Sequence, residues 1–163
     1  MKSHSGLTLI ELMVVIVLAA ILMSIAIPGY QSLIVRNHVA ASSDKFTTSL
    51  RLARSEAAKL GEEVTVCPID KPGSTVCGSD WKNGWMLIAN NERLKVYDPL
   101  NGEVDLKTKA LGEIKFSARG YPIATAQYTF ESAQCKYSSV SKNITITRLG
   151  RIQISDGVCE SSV

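Results

Sequence analysis

The sequence predicts an α+β protein: one long N-terminal helix, transmembrane in its first half and amphipathic in its second, packed on a C-terminal antiparallel β-sheet domain. Three observations predict this. An apolar block runs from Leu7 to Ile27 with Glu11 as its only charge, a helical stripe continues to Leu60, and short alternating segments between turn residues fill the remainder. The chain accordingly divides into a short polar segment (1–6), a membrane-spanning helix (7–27), its amphipathic continuation (28–60) and a β-rich globular domain (61–163). At 163 residues it has room for one globular domain and one long helix, not two domains. The net charge of +3 is small and by itself implies solubility, not an anionic partner.

The block from Leu7 to Ile27 spans roughly 30 Å as a helix, the thickness of a bilayer's hydrocarbon core. A secretory signal peptide would have a shorter apolar region with no acid inside it, and Ser24-Ile-Ala26 is a poor cleavage site. A buried core helix would rarely be apolar around its whole circumference. Lys2 before the block favours a cytoplasmic N-terminus. Glu11 carries the most information, because a carboxylate within lipid costs several kcal/mol unless something pairs with it. Thr8-Leu-Ile-Glu11 has the spacing of a capping box, which explains why the acid is tolerated. A partner amine would explain why a charge is kept there at all. Pro28-Gly29 then predicts a kink at the membrane exit, since proline removes a backbone hydrogen bond and crowds the carbonyl of Ser24.

Beyond the kink, Val35, Val39, Phe46, Leu50, Ala53, Ala57 and Leu60 recur at helical spacing, with Ser42 in the one gap. This stripe is expected to face the protein's own sheet. Arg36, Lys45, Arg51, Arg54 and Lys59 are expected on a solvated face, and Gly61 stops the helix. From Leu7 to Leu60 the helix would be about 80 Å long. Strands are expected at Val64–Cys67, Trp85–Ala89, Leu94–Tyr97, Ile114–Phe116, Tyr128–Phe130, Ile144–Thr147 and Ile152–Ile154. Asp98-Pro-Leu-Asn-Gly102, Arg119-Gly-Tyr-Pro122, Leu149-Gly150 and Asp156-Gly157 supply turns, and Asn143–Thr147 with Arg151–Ser155 reads as a hairpin. Trp81 and Trp85 are expected to pack in the core or against a turn.

The 4 cysteines, Cys67, Cys77, Cys135 and Cys159, fall in the C-terminal two-thirds without a CxxC pair, which favours disulfides in an oxidising compartment over a metal site. Three pairings are open. Neighbours along the chain close the smaller loops, so Cys67–Cys77 with Cys135–Cys159 is the expected set. No Walker loop, HExxH, GxSxG or dinucleotide fingerprint occurs, so no catalytic residue, metal or cofactor is expected.

Gly6-Leu-Thr-Leu-Ile-Glu11-Leu-Met-Val-Val-Ile is similar to the leader motif of type IV prepilins and type II secretion pseudopilins. That resemblance implies the pilin fold, a leader of residues 1–6, cleavage between Gly6 and Leu7 by a prepilin peptidase, and N-methylation of Leu7. It further implies that Glu11 meets the N-terminal amine of a neighbouring subunit, and that Pro28-Gly29 is where the helix loosens on assembly. The family most often has phenylalanine where this chain has Leu7. Arg51-Leu-Ala-Arg54-Ser-Glu-Ala-Ala58 before Val64-Thr-Val-Cys67, then Asp80-Trp-Lys-Asn-Gly-Trp85, resembles the GspH/FimT branch. The resemblance implies a minor pilin that primes a filament at or near its tip, with other major and minor subunits as partners and inner-membrane lipid as its environment before assembly. The C-terminal domain would then be periplasmic. A type II secretion pseudopilin is the alternative. A third reading is DNA binding through Lys136, Lys142, Arg148 and Arg151, since the stretch from Ser132 to Ser155 holds these cations and no acid. Some members bind DNA through a GRxR-like motif, whereas this chain reads Gly150-Arg151-Ile152-Gln153 and lacks the second arginine.

Overall fold

The computed structural model describes residues 8–108, 112–133 and 140–159. Helix α1 spans Leu9–Leu60, 52 residues, and runs through Pro28. Thr8 caps it, with an extended backbone and a hydroxyl that accepts from the Glu11 amide at 3.3 Å. Gly61 ends it in the left-handed conformation (φ 69°), and its amide donates to the Ala57 carbonyl at 3.0 Å. Only glycine adopts that backbone without strain, which is why the helix stops there.

The strands are β1 (Val64–Pro68), β2 (Trp85–Ala89), β3 (Glu92–Tyr97), β4 (Val104–Thr108), β5 (Ile114–Phe116), β6 (Ala126–Ser132), β7 (Val140–Ile146) and β8 (Ile152–Val158). They form two four-stranded sheets in the orders β3-β2-β1-β5 and β4-β6-β7-β8, antiparallel throughout. The α+β class is therefore as expected, with two sheets where the sequence suggested one. The division follows from the helix: a single curved surface is contacted from two sides, and Phe46 sits at the join. Its ring lies 5.4 Å from Trp81, 5.3 Å from Trp85, 5.0 Å from Tyr128 and 5.4 Å from Phe130. Trp85 belongs to the first sheet and the last two to the second. One aromatic side chain thus couples both sheets to the helix, in edge-on and tilted geometries that suit ring quadrupoles.

The buried line on α1 is Val35, Val39, Ser43, Phe46, Leu50, Ala53 and Ala57. Two details of the expected stripe are corrected. Ser43, not Ser42, fills the gap, because it lies one turn beyond Val39 and turns its hydroxyl onto the Ala40 carbonyl at 2.8 Å. Leu60 is exposed, since the sheets end before the last helical turn. A third correction concerns Arg54, which is half-buried instead of solvated and donates to the Gly150 carbonyl at 2.7 Å. Ser49 is buried as well. It accepts from the Trp85 indole at 2.9 Å, which satisfies a donor that burial would otherwise strand.

Strand β4 escapes the sequence pattern. It is an edge strand with only Val104 and Leu106 apolar, and its charges are used in cross-element pairs: Asp105 with Lys82 at 2.6 Å, and Lys107 with the buried Glu131. The β7–β8 hairpin is centred where expected, pairing Ile144 with Ile154 and Ile146 with Ile152. Asn90 and Asn91, both at positive φ, turn β2 into β3 (φ 49° and 63°). The β3–β4 connection is tied to the helix by Lys45–Asp98 at 3.9 Å and His38–Glu103 at 3.6 Å.

Candidate assembly site

Glu11 lies in the first turn of α1, where backbone amides point towards the N-terminus and favour a negative charge. The Thr8 cap serves the backbone of that turn. Among the described residues no cation stands within ion-pairing distance of the Glu11 carboxylate, so the acid is presented outwards. Its neighbours are apolar and uncovered: Leu9, Ile10, Leu12, Met13, Val14 and Val15 are all exposed. From Leu9 to Ile27 every large apolar side chain is exposed, and α1 is the one described helix long and apolar enough to cross a membrane. A helix so exposed is stable only where something other than water covers it. Gly6 and Leu7, the expected cleavage and methylation positions, lie outside the described residues.

Pro28 is accommodated inside the helix. A side chain at Gly29 would meet nothing within 4 Å, so no other described segment of this chain approaches it. One turn before the proline, the Ser24 hydroxyl donates to the Ile21 carbonyl at 2.7 Å.

Cys67 and Cys77 form a disulfide with Cα atoms 5.5 Å apart, closing the loop that leaves β1. Cys67, Met86 and Ile88 make a small second core on the outer face of the first sheet, against Ile69 and Cys77. Cys159 is disulfide-bonded too, while Cys135 lies outside the described residues. Disulfide chemistry therefore uses these thiols, and among the described residues no three His, Cys, Asp or Glu side chains gather as metal ligands.

Of the four cations considered for a nucleic acid, three lie among the described residues. Lys142 pairs with Asp156, its cross-strand neighbour one position beyond the stretch that looked free of acids. Lys136 lies outside the described residues. Arg148 and Arg151 share the exposed β7–β8 turn. The sequence could not reveal the Lys142 pairing because register, not proximity in the chain, creates it.

The model of the family described as type II transport protein GspH matches residues 42–150, and that of the prokaryotic N-terminal methylation motif matches residues 1–27. A type IV major fimbrial protein FimA from Dichelobacter nodosus is 39% identical over 85 residues, 52% of this chain and 54% of that protein. A fimbrial protein from Pseudomonas aeruginosa is 39% identical over 119 residues, 72% of this chain and 75% of that protein. The chain thus spans about half the length of the first relative, at 54%, and three quarters of the second, at 75%. Among solved structures, the type IV minor pilin FimU of Pseudomonas aeruginosa superimposes with a TM-score of 0.61 at 18% identity, over 77% of this chain and 97% of that one. The minor pseudopilin EpsH from the type 2 secretion system of Vibrio cholerae superimposes with a TM-score of 0.55 at 12% identity, over 73% and 97%. These likenesses speak to the fold, while the family match covers most of the folded domain: the chain belongs to the GspH family of pilin and pseudopilin structural subunits.

Proposed function

We propose that this chain is a minor pilin of a type IV pilus, a structural subunit that primes assembly and sits at or near the filament tip. In this reading a prepilin peptidase cuts between Gly6 and Leu7 and Leu7 is N-methylated. The subunit waits in the bacterial inner membrane through residues 7–27, with its sheet domain in the periplasm. On assembly, Glu11 pairs with the N-terminal amine of a neighbour. Its role is assembly and not turnover. The observation that carries the reading is the uncovered apolar half of α1, interrupted by one outward-facing carboxylate. A charge among lipid tails is costly, and an incoming amine removes that cost on assembly and not before.

The test is Glu11→Ala in the full chain, followed by the amount recovered in sheared filaments. Recovery should drop to background while the thermal unfolding of the domain is unchanged. Wild-type recovery of the variant, or mature protein still carrying residues 1–6, would overturn the proposal. A type II secretion pseudopilin is the second reading, favoured by the GspH family match. Deleting the gene separates the two: loss of surface filaments supports the pilus, and loss of secreted exoproteins with filaments intact supports the secretion system.

A further inference from the structure

The end of the domain opposite the exposed apolar half of α1 is built from three pieces held together by Arg54. Turn 117–122 lies against the helix so closely that a side chain at Gly120 would come within 3.3 Å of the Arg54 carbonyl and 3.7 Å of Ala58 Cβ. Turn 147–151 lies against both. A side chain at Gly150 would come within 3.1 Å of the Arg54 guanidinium carbon and 3.3 Å of Pro122, and Arg54 donates to the Gly150 carbonyl at 2.7 Å. Each turn also closes on itself, through Gly120 N–H to Ser117 O at 2.7 Å and Gly150 N–H to Thr147 O at 2.8 Å. Both glycines have φ 75°, a left-handed backbone that fixes the turn's shape.

This rigid platform carries apolar side chains that the fold leaves uncovered. Tyr121 is 50% exposed, Ile123 59% and Leu149 76%. Beside them Arg119, Arg148 and Arg151 are exposed. Among the described residues every ion pair is made by a lysine or by His38, and none by an arginine. Exposed tyrosine, aliphatic and arginine side chains on a pre-ordered surface are the composition of a protein interface, because little ordering entropy remains to be lost on contact.

We infer that this end of the domain is a docking surface for a different protein subunit, one that presents carboxylates beside an apolar patch. The inference rests on the filament reading above. Guanidinium groups pair carboxylates bidentately, and Leu149 and Ile123 gain by leaving water only against apolar partner atoms. A phosphate backbone would meet the arginines and leave those side chains wet. A second copy meeting it through the same surface would set arginine against arginine, since turns 117–122 and 147–151 hold no acid.

The test places a photo-crosslinking amino acid at Leu149 in the full chain, in cells assembling filaments, and examines the sheared filament fraction. The expected product joins the chain to one other pilin-like subunit through a peptide containing Asp or Glu. Arg148→Glu with Arg151→Glu should cut its yield about tenfold. Ile123→Ser, with the crosslinker moved to Tyr121, should do the same and remove only apolar surface. A product with nucleic acid, a product with a second copy, no product, or a yield untouched by these changes overturns the inference. If the unmodified chain is missing from the filament fraction, it is the filament reading that fails.

Discussion

The two halves of α1 share one backbone geometry and meet opposite fates. From Leu9 to Ile27 the side chains are apolar around the helix apart from Glu11 and Ser24, and the large ones are exposed, whereas from Val35 onwards one line is buried and most of the charges lie off it. The buried half is specified by its own domain: Phe46 packs among Trp81, Trp85, Tyr128 and Phe130. The exposed half is specified by what surrounds it, first as lipid and then as other subunits in the function proposed here. Stability and assembly are therefore encoded in different stretches of a single helix, and substitutions should separate them.

Phe46→Ala is the hardest blow to that division. Removing the ring that joins both sheets to the helix should cost about 3–5 kcal/mol, read as a shift of the denaturant midpoint of the full chain in detergent. Val14→Ala in the exposed half should change the stability derived from that midpoint by less than about 0.5 kcal/mol. If the two variants unfold alike, the halves are not independent. The disulfide belongs to the folded half. Cys67→Ala with Cys77→Ala releases a loop of sequence separation 10 and should lower stability by about 2–3 kcal/mol. It should leave the membrane association of the chain unaltered in carbonate extraction.

A smaller, pH-dependent effect also belongs to the folded half alone. Burial raises the hydroxyl pKa of both Tyr97 and Tyr128 above the ordinary tyrosine value. A raised folded-state pKa means that their contribution is complete below about pH 10, where the unfolded tyrosines are still neutral. It is lost as pH rises above that value, because the unfolded chain ionises first. The domain should therefore unfold progressively above about pH 10, and Tyr128→Phe should flatten that dependence in a thermal-melt series. An unchanged slope would mean that Tyr128 is not neutral and buried as described.

Much of this was legible because the signals are local. Thr8 before the apolar run, Gly61 after Leu60, the apolar run of β2 and the alternation in β7 each act within a few residues, through a cap, a left-handed turn or a pleat. Glu11 stood out for the same reason, as a single charge in a uniform background. What could not be read were contacts between elements. Nothing near β4 in the chain announces that Lys82 and Glu131 will take its charges. Nothing around Arg54 shows that a turn 96 residues later will accept its hydrogen bond. Lys142 looked free until the strand register set Asp156 opposite it.

Local patterns in the chain are enough to set a long helix with two unlike halves, a carboxylate at Glu11, thiols suited to bridging and a β-rich remainder. Propensity, capping and hydrophobic period are properties of short stretches. Three-dimensional packing alone divides the strands into two sheets around Phe46 and lets Arg54 gather two distant turns into one exposed surface. Packing and hydrogen bonding join residues that the chain keeps far apart, and their energy depends on positions in space that no local pattern records.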